Sequence, residues 1–280
     1  MHLCKLLGIS RQAYYKRIQT KKKRLAEMEI VKAMVVKKRI LQPRIGTRKL
    51  YYLLSDQINV FGIKMGRDAL FDLLKAEHML VKPMKCYTKT TNSKHWLHKH
   101  SNYFKDMRIT YAEQAWVSDI TYLRTRSGFC YLSLVTDSFS RKIMGYHVSP
   151  NLQAEGCIKA LKLAIKHKIH DSSPLHHSDK GFQYCSEEYQ TVLKENFMKC
   201  SMTDGYDPYQ NALAERMNGI LKNEFFPDIF ENIDHACKIV EQSVFIYNNL
   251  RPHLNLNMET PNSVHEKSRK QLLSALNLFV

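Results

Sequence analysis

Apolar residues recur at helical spacing in several separate stretches of the chain. Residues 2–18 divide at Gly8-Ile9-Ser10 into two short apolar-periodic runs, predicting helix, turn, helix with Ser10 capping the second member. From Lys21 to Arg39, Ile30, Met34 and Val35 sit at helical intervals in an otherwise basic run, and Gln42-Pro43 ends it. Leu50, Leu53 and Leu54 stripe a further helix opened by Gly46-Thr47-Arg48, with Thr47 as the expected cap. Phe61-Gly62 breaks that helix and leads into Gly66 to Lys75, giving a second helix-turn-helix pattern.

The pattern then changes period. Trp116 to Leu123, Phe129 to Asp137 and Ile143 to Ser149 are rich in β-branched and aromatic residues, and turn residues separate them at Ser127-Gly128 and at Ser138 to Lys142. An antiparallel meander follows. Ala154 to His167 returns to helical spacing through Ile158, Leu161 and Ile165, and leads to a short strand from Leu175 to Ser178. A helix around Glu215 comes next. Asp234 to Leu250 is amphipathic, with Ile239, Val240, Val244, Phe245 and Tyr247 as expected packing residues, and Gln271 to Leu278 suggests a last helix. Strands and helices mixed in this order predict an α/β core behind a helical front.

Charge divides the 280 residues in the same place. Residues 1–110 hold 25 Lys/Arg against 7 Asp/Glu, leaving 18 against 19 for the remainder. A basic front beside a neutral core points to a polyanionic partner, with DNA ahead of an anionic membrane. Spanning a membrane is not expected, because no apolar run approaches the necessary length, and Lys5 and Arg11 interrupt any secretory signal. Seven scattered cysteines without a Cys-x-x-Cys pair fit a reducing cytoplasm. Cys86, His95, His98 and His100 lack the paired thiols of a zinc module, so residues 82–110, basic and without apolar period, are expected to be a DNA-facing tether.

Three acids stand in unusual settings. Asp119 lies inside a strand pattern, Asp179 ends the strand that begins at Leu175, and Glu215 shares a helix with Leu213, Met217, Ile220 and Leu221 while facing away from them together with Lys222. Three carboxylates brought together repel one another unless a cation sits between them, and hard oxygen donors favour Mg²⁺ or Mn²⁺. Two such ions clamp the attacking and leaving oxygens of phosphoryl transfer, which needs carboxylates rather than a side-chain nucleophile.

Trp116-Val117-Ser118-Asp119-Ile120-Thr121-Tyr122, Tyr131 to Asp137 with Ser140-Arg141-Lys142, His177-Ser178-Asp179-Lys180-Gly181 and Asn211-Ala212-Leu213-Ala214-Glu215-Arg216 together resemble the DDE transposases of the retroviral-integrase superfamily. The match is to the second-frame, OrfB-type transposases of bacterial insertion sequences. Thirty-five residues separate Asp179 from Glu215, Lys222 follows seven after the glutamate, and Tyr247-Asn248-Asn249, Arg251-Pro252-His253 and Thr260-Pro261 resemble the family's closing motif. The resemblance implies a ribonuclease H-like integrase catalytic core, a mixed sheet with flanking helices, preceded by helical helix-turn-helix modules. It also implies an Mg²⁺-dependent enzyme that cleaves DNA and joins the freed 3′-hydroxyl to another strand, with Asp119, Asp179 and Glu215 as catalytic metal ligands. Expected partners are the element's terminal inverted repeats, target DNA, further copies of the chain on DNA, and an upstream-frame protein or fusion; the expected location is the bacterial cytoplasm, in association with the nucleoid.

The expected organisation is a partial helix-turn-helix over 1–20, a basic helical linker over 21–42, a second helix-turn-helix-like module over 43–81, the tether over 82–110, the catalytic core over 111–228 and a C-terminal helical extension over 229–280. Arg11, Tyr14 and Arg17 are expected DNA contacts on the first recognition helix, with Arg48, Lys49, Lys64 and Arg67 contacting phosphates from the second module and Lys222 beside the site. His177, two residues before Asp179, is expected to orient a ligand rather than bind metal. Asp137 precedes a Ser- and Arg-rich turn, where capping or pairing with Arg141 outweighs metal binding. Two other classes share these features: a ribonuclease H-like nuclease that cuts without joining, and a non-enzymatic transposase-derived regulator. The intact acids argue against the regulator, and the paired helix-turn-helix patterns against the plain nuclease.

Overall fold

A computed structural model of the chain describes residues 8–82, 97–169, 173–204 and 211–276, with side chains to Gln271. It divides into two compact units, Met1–Lys82 and Pro83–Val280.

The first unit is helical. Helix α1 spans Arg11–Leu41, α2 Thr47–Val60 and α3 Arg67–Ala76. Ser10 caps α1 as expected, its side chain accepting from the Ala13 N–H at 3.1 Å. No glycine or proline interrupts residues 11–41, so the expected recognition helix and basic linker are one continuous 31-residue helix. That corrects the boundary expected at residue 20. Nor is the second half of α1 a linker, because Val31 and Val35 are fully buried with Ile45, Leu50, Leu54, Ile58, Leu70 and Leu74 in a single three-helix core. Thr47 is not the cap of α2: Gly46 occupies that position and makes no side-chain cap bond. The first helix expected from residues 2–7 lies outside the described residues.

In the second unit, β1 (Ala115–Thr125), β2 (Gly128–Asp137) and β3 (Ile143–Ser149) form the expected antiparallel meander. Helix α4 (Ala154–Lys166) leads to β4 (Leu175–Ser178), which pairs parallel to β1, and β5 (Cys200–Met202) pairs parallel to β4. Helices α5 (Phe182–Cys185) and α6 (Glu187–Glu195) connect these two strands, and α7 (Ala212–Glu224), α8 (Ile233–Asn249) and α9 (Pro261–Leu276) follow. The sheet order β3-β2-β1-β4-β5, with helices on both faces, is the ribonuclease H-like arrangement.

Strand alternation sorts the core into two layers. On one face, Trp116 and Val135 pack with Ala160, Leu161 and Ala164 of α4 and with Tyr184 and Tyr189. On the other, Leu123, Leu132 and Leu134 pack with Met217 and Leu221 of α7 and Val240, Val244 and Tyr247 of α8. Gly145 permits the close approach of α4 to β3, since a Cβ there would stand 2.0 Å from the Ala160 carbonyl oxygen.

Three further expectations change. Helix α8 is half of the second layer rather than an extension, although Phe245, expected to pack, is 62% exposed. Helix α9 starts ten residues earlier than expected, and His265 and Ser268 tie it to the core: His265 Nε2 lies 3.1 Å from Glu113 Oε1, and Ser268 Oγ accepts from the Ala112 N–H at 2.9 Å. The end of the supposed tether is also part of this unit. Ser201 Oγ accepts from the Tyr103 and Phe104 N–H groups at 2.9 and 3.2 Å, and Met202 N donates to the Ser101 carbonyl, so residues 101–104 cover the outer edge of β5.

Candidate active site

Asp119 lies midway along β1 on the face covered by α7, opposite Leu134 in the register. Asp179 follows directly on β4, whose His177 is the parallel partner of Val117 in β1. Parallel pairing therefore carries the two acids to the same level of the sheet. Glu215 occupies the first turn of α7. Met217, Leu221 and Ala214 are buried on that helix while Glu215 is exposed, so the packing face and the acid-bearing face separate as expected.

The three carboxylates act on one another. Burial pushes the Asp119 carboxyl up to about 7; the charges of Asp179 and, more weakly, Glu215 push the same way, against a hydrogen bond from Asn218. Glu215 is also raised, first by partial burial and then by Asp179. Like charges gathered in a poorly solvated place disfavour ionisation, and a cation among them reverses that preference. Among the described residues, no three His, Cys, Asp or Glu side chains form a closed metal-ligand set. The donor set nevertheless fits a hard divalent ion: it is all oxygen and carboxylate, and Asp119 and Glu215 are raised, first by burial and then by neighbouring carboxylates, which a cation would offset.

Local contacts fix each acid. Asn218 Nδ2 donates to Asp119 Oδ2 at 2.8 Å. The Gly181 N–H donates to Asp179 Oδ1 at 3.0 Å, and a Cβ at Gly181 would come within 2.9 Å of that oxygen. Ser118, next to Asp119, is held from the opposite face: His176 Nε2 lies 2.8 Å from Ser118 Oγ and 2.8 Å from the Tyr189 hydroxyl. Burial pushes the His176 imidazole down to about 3, so it stays neutral while Nε2 sits between the two hydroxyls. At the far end of α7, Arg251 closes a bidentate pair with Glu224 through two 2.7 Å hydrogen bonds.

Sequence reasoning did not single out Asn218, Ser118, His176 or Glu224. For Asn218 a signal was present: at i+3 from Glu215 and i−4 from Lys222 it lies on the same strip of α7. Lys222 is half-buried on that strip. His177 is fully buried; its Nδ1 lies 2.9 Å from Ser201 Oγ and its ring stacks on Phe104 at 4.8 Å. Asp137 caps its turn, accepting from the Ser140 N–H and hydroxyl at 2.7 Å and from the Glu113 N–H at 2.6 Å, and forms no ion pair with Arg141 among the described residues.

The other expected DNA contacts belong to the helical unit. Arg11, Tyr14 and Arg17 are exposed on α1, Arg48 and Lys64 are exposed, and Arg67 is exposed but paired with Asp68 at 2.9 Å. Lys49 is only 8% exposed, which corrects its expected place as an open phosphate contact: it packs within the three-helix unit. Of the histidine and cysteine positions in the former tether, Cys86 and His95 lie outside the described residues, and the His98 and His100 rings meet edge to face at 4.8 Å.

Comparison with known proteins agrees with this architecture. Residues 110–208 and 196–261 each match a family described as integrase core domain. An insertion element IS600 uncharacterized 31 kDa protein of Shigella sonnei is 31% identical over 270 residues, covering 95% of this chain and 98% of its own length. Transposase InsF for insertion sequence IS3A, of Escherichia coli strain K12, is 30% identical over 172 residues, or 61% of this chain and 60% of InsF. The chain belongs to the insertion-sequence transposases with an integrase core domain. Members of this integrase-core family are polynucleotidyl transferases, and the two matches together run continuously from the start of β1 through α8. Among solved structures, the HTLV-2 integrase catalytic core domain in complex with magnesium is similar at 22% identity and a TM-score of 0.45, covering 56% of this chain and 99% of that one.

Proposed function

We propose that this chain is a metal-dependent DNA transposase that nicks the end of its own element and joins the freed 3′-hydroxyl to another strand. The observation that carries the proposal is the burial of Asp119 beside Asp179 and Glu215, which raises its carboxyl to about 7 in the absence of a cation. Three carboxylates from three separate elements serve no packing purpose in that arrangement. In this reading Asp119, Asp179 and Glu215 hold Mg²⁺ or Mn²⁺, which would supply Lewis-acid stabilisation of the attacking and leaving oxygens.

The chain's own groups do the positioning. Asn218 orients Asp119, the Gly181 amide orients Asp179, and Lys222 meets a phosphate beside the scissile bond as a cation too far along α7 to be a ligand. Arg11, Tyr14, Arg17, Arg48, Lys64 and Arg67 are assigned to DNA in the helical unit, on the strength of their exposure and of the charge excess there. His177 acts at one remove, by keeping β4 seated beneath Asp179. The partners under this reading are the element's inverted repeats, target DNA and further copies of the chain, with or without an upstream-frame protein.

The experiment is strand cleavage and joining on labelled oligonucleotides carrying the element's ends, with Mg²⁺, with Mn²⁺ and with chelator. Cleavage and joining are expected with either metal, and loss of both in Asp119→Asn, Asp179→Asn and Glu215→Gln while DNA binding persists. Metal-dependent joining by the Asp179→Asn protein would remove that residue from the site, and cutting without joining would favour a nuclease.

A further inference from the structure

Arg216 follows Glu215 on α7, about 100° further round the helix, and so stands beside the acid-bearing strip rather than on it. Arg141 closes the turn between β2 and β3 in the left-handed region, at φ 64°, a conformation that a non-glycine residue keeps only where its surroundings hold it. Tyr247 does the holding. Its hydroxyl donates to the Arg141 carbonyl oxygen at 3.0 Å and also lies 3.6 Å from Sδ of Met217, the residue after Arg216. One buried phenol thus ties the Arg141 turn to the first turns of α7. The Arg251 guanidinium lies 5.5 Å from the same ring, and the charges of Arg251, Arg141 and Arg216 all act on its hydroxyl.

Their charges are unequally answered. Arg251 is matched by Glu224, although its Nη1, in a residue only 3% exposed, has no hydrogen-bond partner. Arg141 and Arg216 form no side-chain hydrogen bond or ion pair among the described residues. The carboxylate nearest in sequence to Arg141, Asp137, is spent on Ser140 and the Glu113 amide. Burial makes it harder for Arg141 to keep its proton; Tyr247 and Asp137 oppose that effect and Arg216 adds to it. Arg216 also stands near the positive end of α7, whose N-cap Asn211 makes no side-chain cap bond. Two guanidiniums on the turn and the helix that Tyr247 joins, neither hydrogen-bonded to a carboxylate among the described residues, are an arrangement completed by an anion.

We propose that Arg141 and Arg216 form a binding site for a phosphodiester of the DNA backbone, distinct from the scissile phosphate, that seats a strand along α7 beside the three acids. That the anion comes from DNA rests on the function proposed above. Guanidinium forks suit phosphate because two N–H groups meet two oxygens of one group, and Tyr247 fixes where the fork from the turn begins.

The test is binding of the full-length protein to one duplex across a salt series in chelator, by fluorescence anisotropy, for the parent, Arg216→Ala and the Arg141→Gln/Arg216→Ala double variant. Each lost phosphate contact removes roughly 0.9 from the slope of log K against log salt. The expected losses are therefore about 0.9 and about 1.8. A scan of single methylphosphonates should find one position that weakens the parent and leaves the double variant unaffected. Arg216→Ala keeps the test open if the turn variant fails to fold, because alanine suits an exposed helical position. Unchanged slopes in folded variants, or a methylphosphonate position that penalises parent and variant equally, would overturn the site. Joining by the parent with unchanged slopes sinks this site alone; reduced slopes with a parent that neither cuts nor joins keep the phosphate site and sink the proposed activity.

Discussion

Replacing Asp119 by Asn should inactivate the protein and, without metal, make it more stable. The carboxyl is raised from 3.8 to about 7 in the folded chain. At about 1.36 kcal/mol per unit, that displacement is worth about 4 kcal/mol. Because the folded state binds the proton more tightly than the unfolded state, the ionised acid opposes folding. The effect is absent below about pH 4, grows as pH rises through the interval between the two values, and is complete above about pH 7. Asparagine is neutral throughout, has nearly the same shape, and still offers an oxygen to Asn218. For a unit of this size each kcal/mol moves the midpoint by roughly 2–4 °C, so Asp119→Asn should unfold about 8–16 °C above the parent near pH 8. The two should converge near pH 4. Thermal unfolding with chelator at several pH values provides the measurement, and Mn²⁺ should then raise the parent near pH 8 while leaving the variant unmoved. A gap that persists undiminished at pH 4, or no gap at pH 8, would refute the view that burial, with Asp179 beside it, raises the Asp119 pKa.

Three further outcomes follow from single contacts. Asn218→Ala removes the donor to Asp119; joining should fall by about 10- to 100-fold at limiting Mg²⁺ and recover as metal is raised, whereas an unchanged metal titration would make Asn218 a packing residue. Gly181→Ala puts a Cβ 2.9 Å from Asp179 Oδ1 at a backbone angle of −64° that alanine accepts, so joining should drop while the melting temperature stays within that of an ordinary surface change. Arg251→Met leaves Glu224 without the cation that holds it through two 2.7 Å bonds, at a cost of about 3 kcal/mol; denaturant unfolding with a loss below about 1 kcal/mol would show the pair to be solvated.

What could be seen in the sequence was set by the range of the forces involved. Strands β1 to β4 and helix α4 follow from alternation, helical period and turn residues, all of which act between near neighbours. The two-layer core was legible only in outline, because periodicity shows which side of α8 is apolar but not what covers it; Phe245 lies on an apolar stripe and is nevertheless exposed. Strand β5 has three residues, too few to carry a period. The continuous α1 was misjudged because a lysine-rich run resembles a solvated linker, although nothing in it breaks a helix.

The acids illustrate the same division more sharply. A carboxylate inside a strand, one at a strand end and one on the polar side of a helix can each be recognised locally, since each violates the expectation for its surroundings. The groups that position them cannot. Asn218 reaches Asp119 across 99 residues, and Tyr247 reaches Arg141 across 106. These contacts come into being only when α7 and α8 pack on the sheet, and the same packing desolvates Asp119. Burial that stabilises Met217, Leu221 and Tyr247 therefore raises the free energy of the ionised acid beside them. The layer that holds the fold together thus works against the ionised form of Asp119, and under the proposed function stability and catalysis are opposed at that residue.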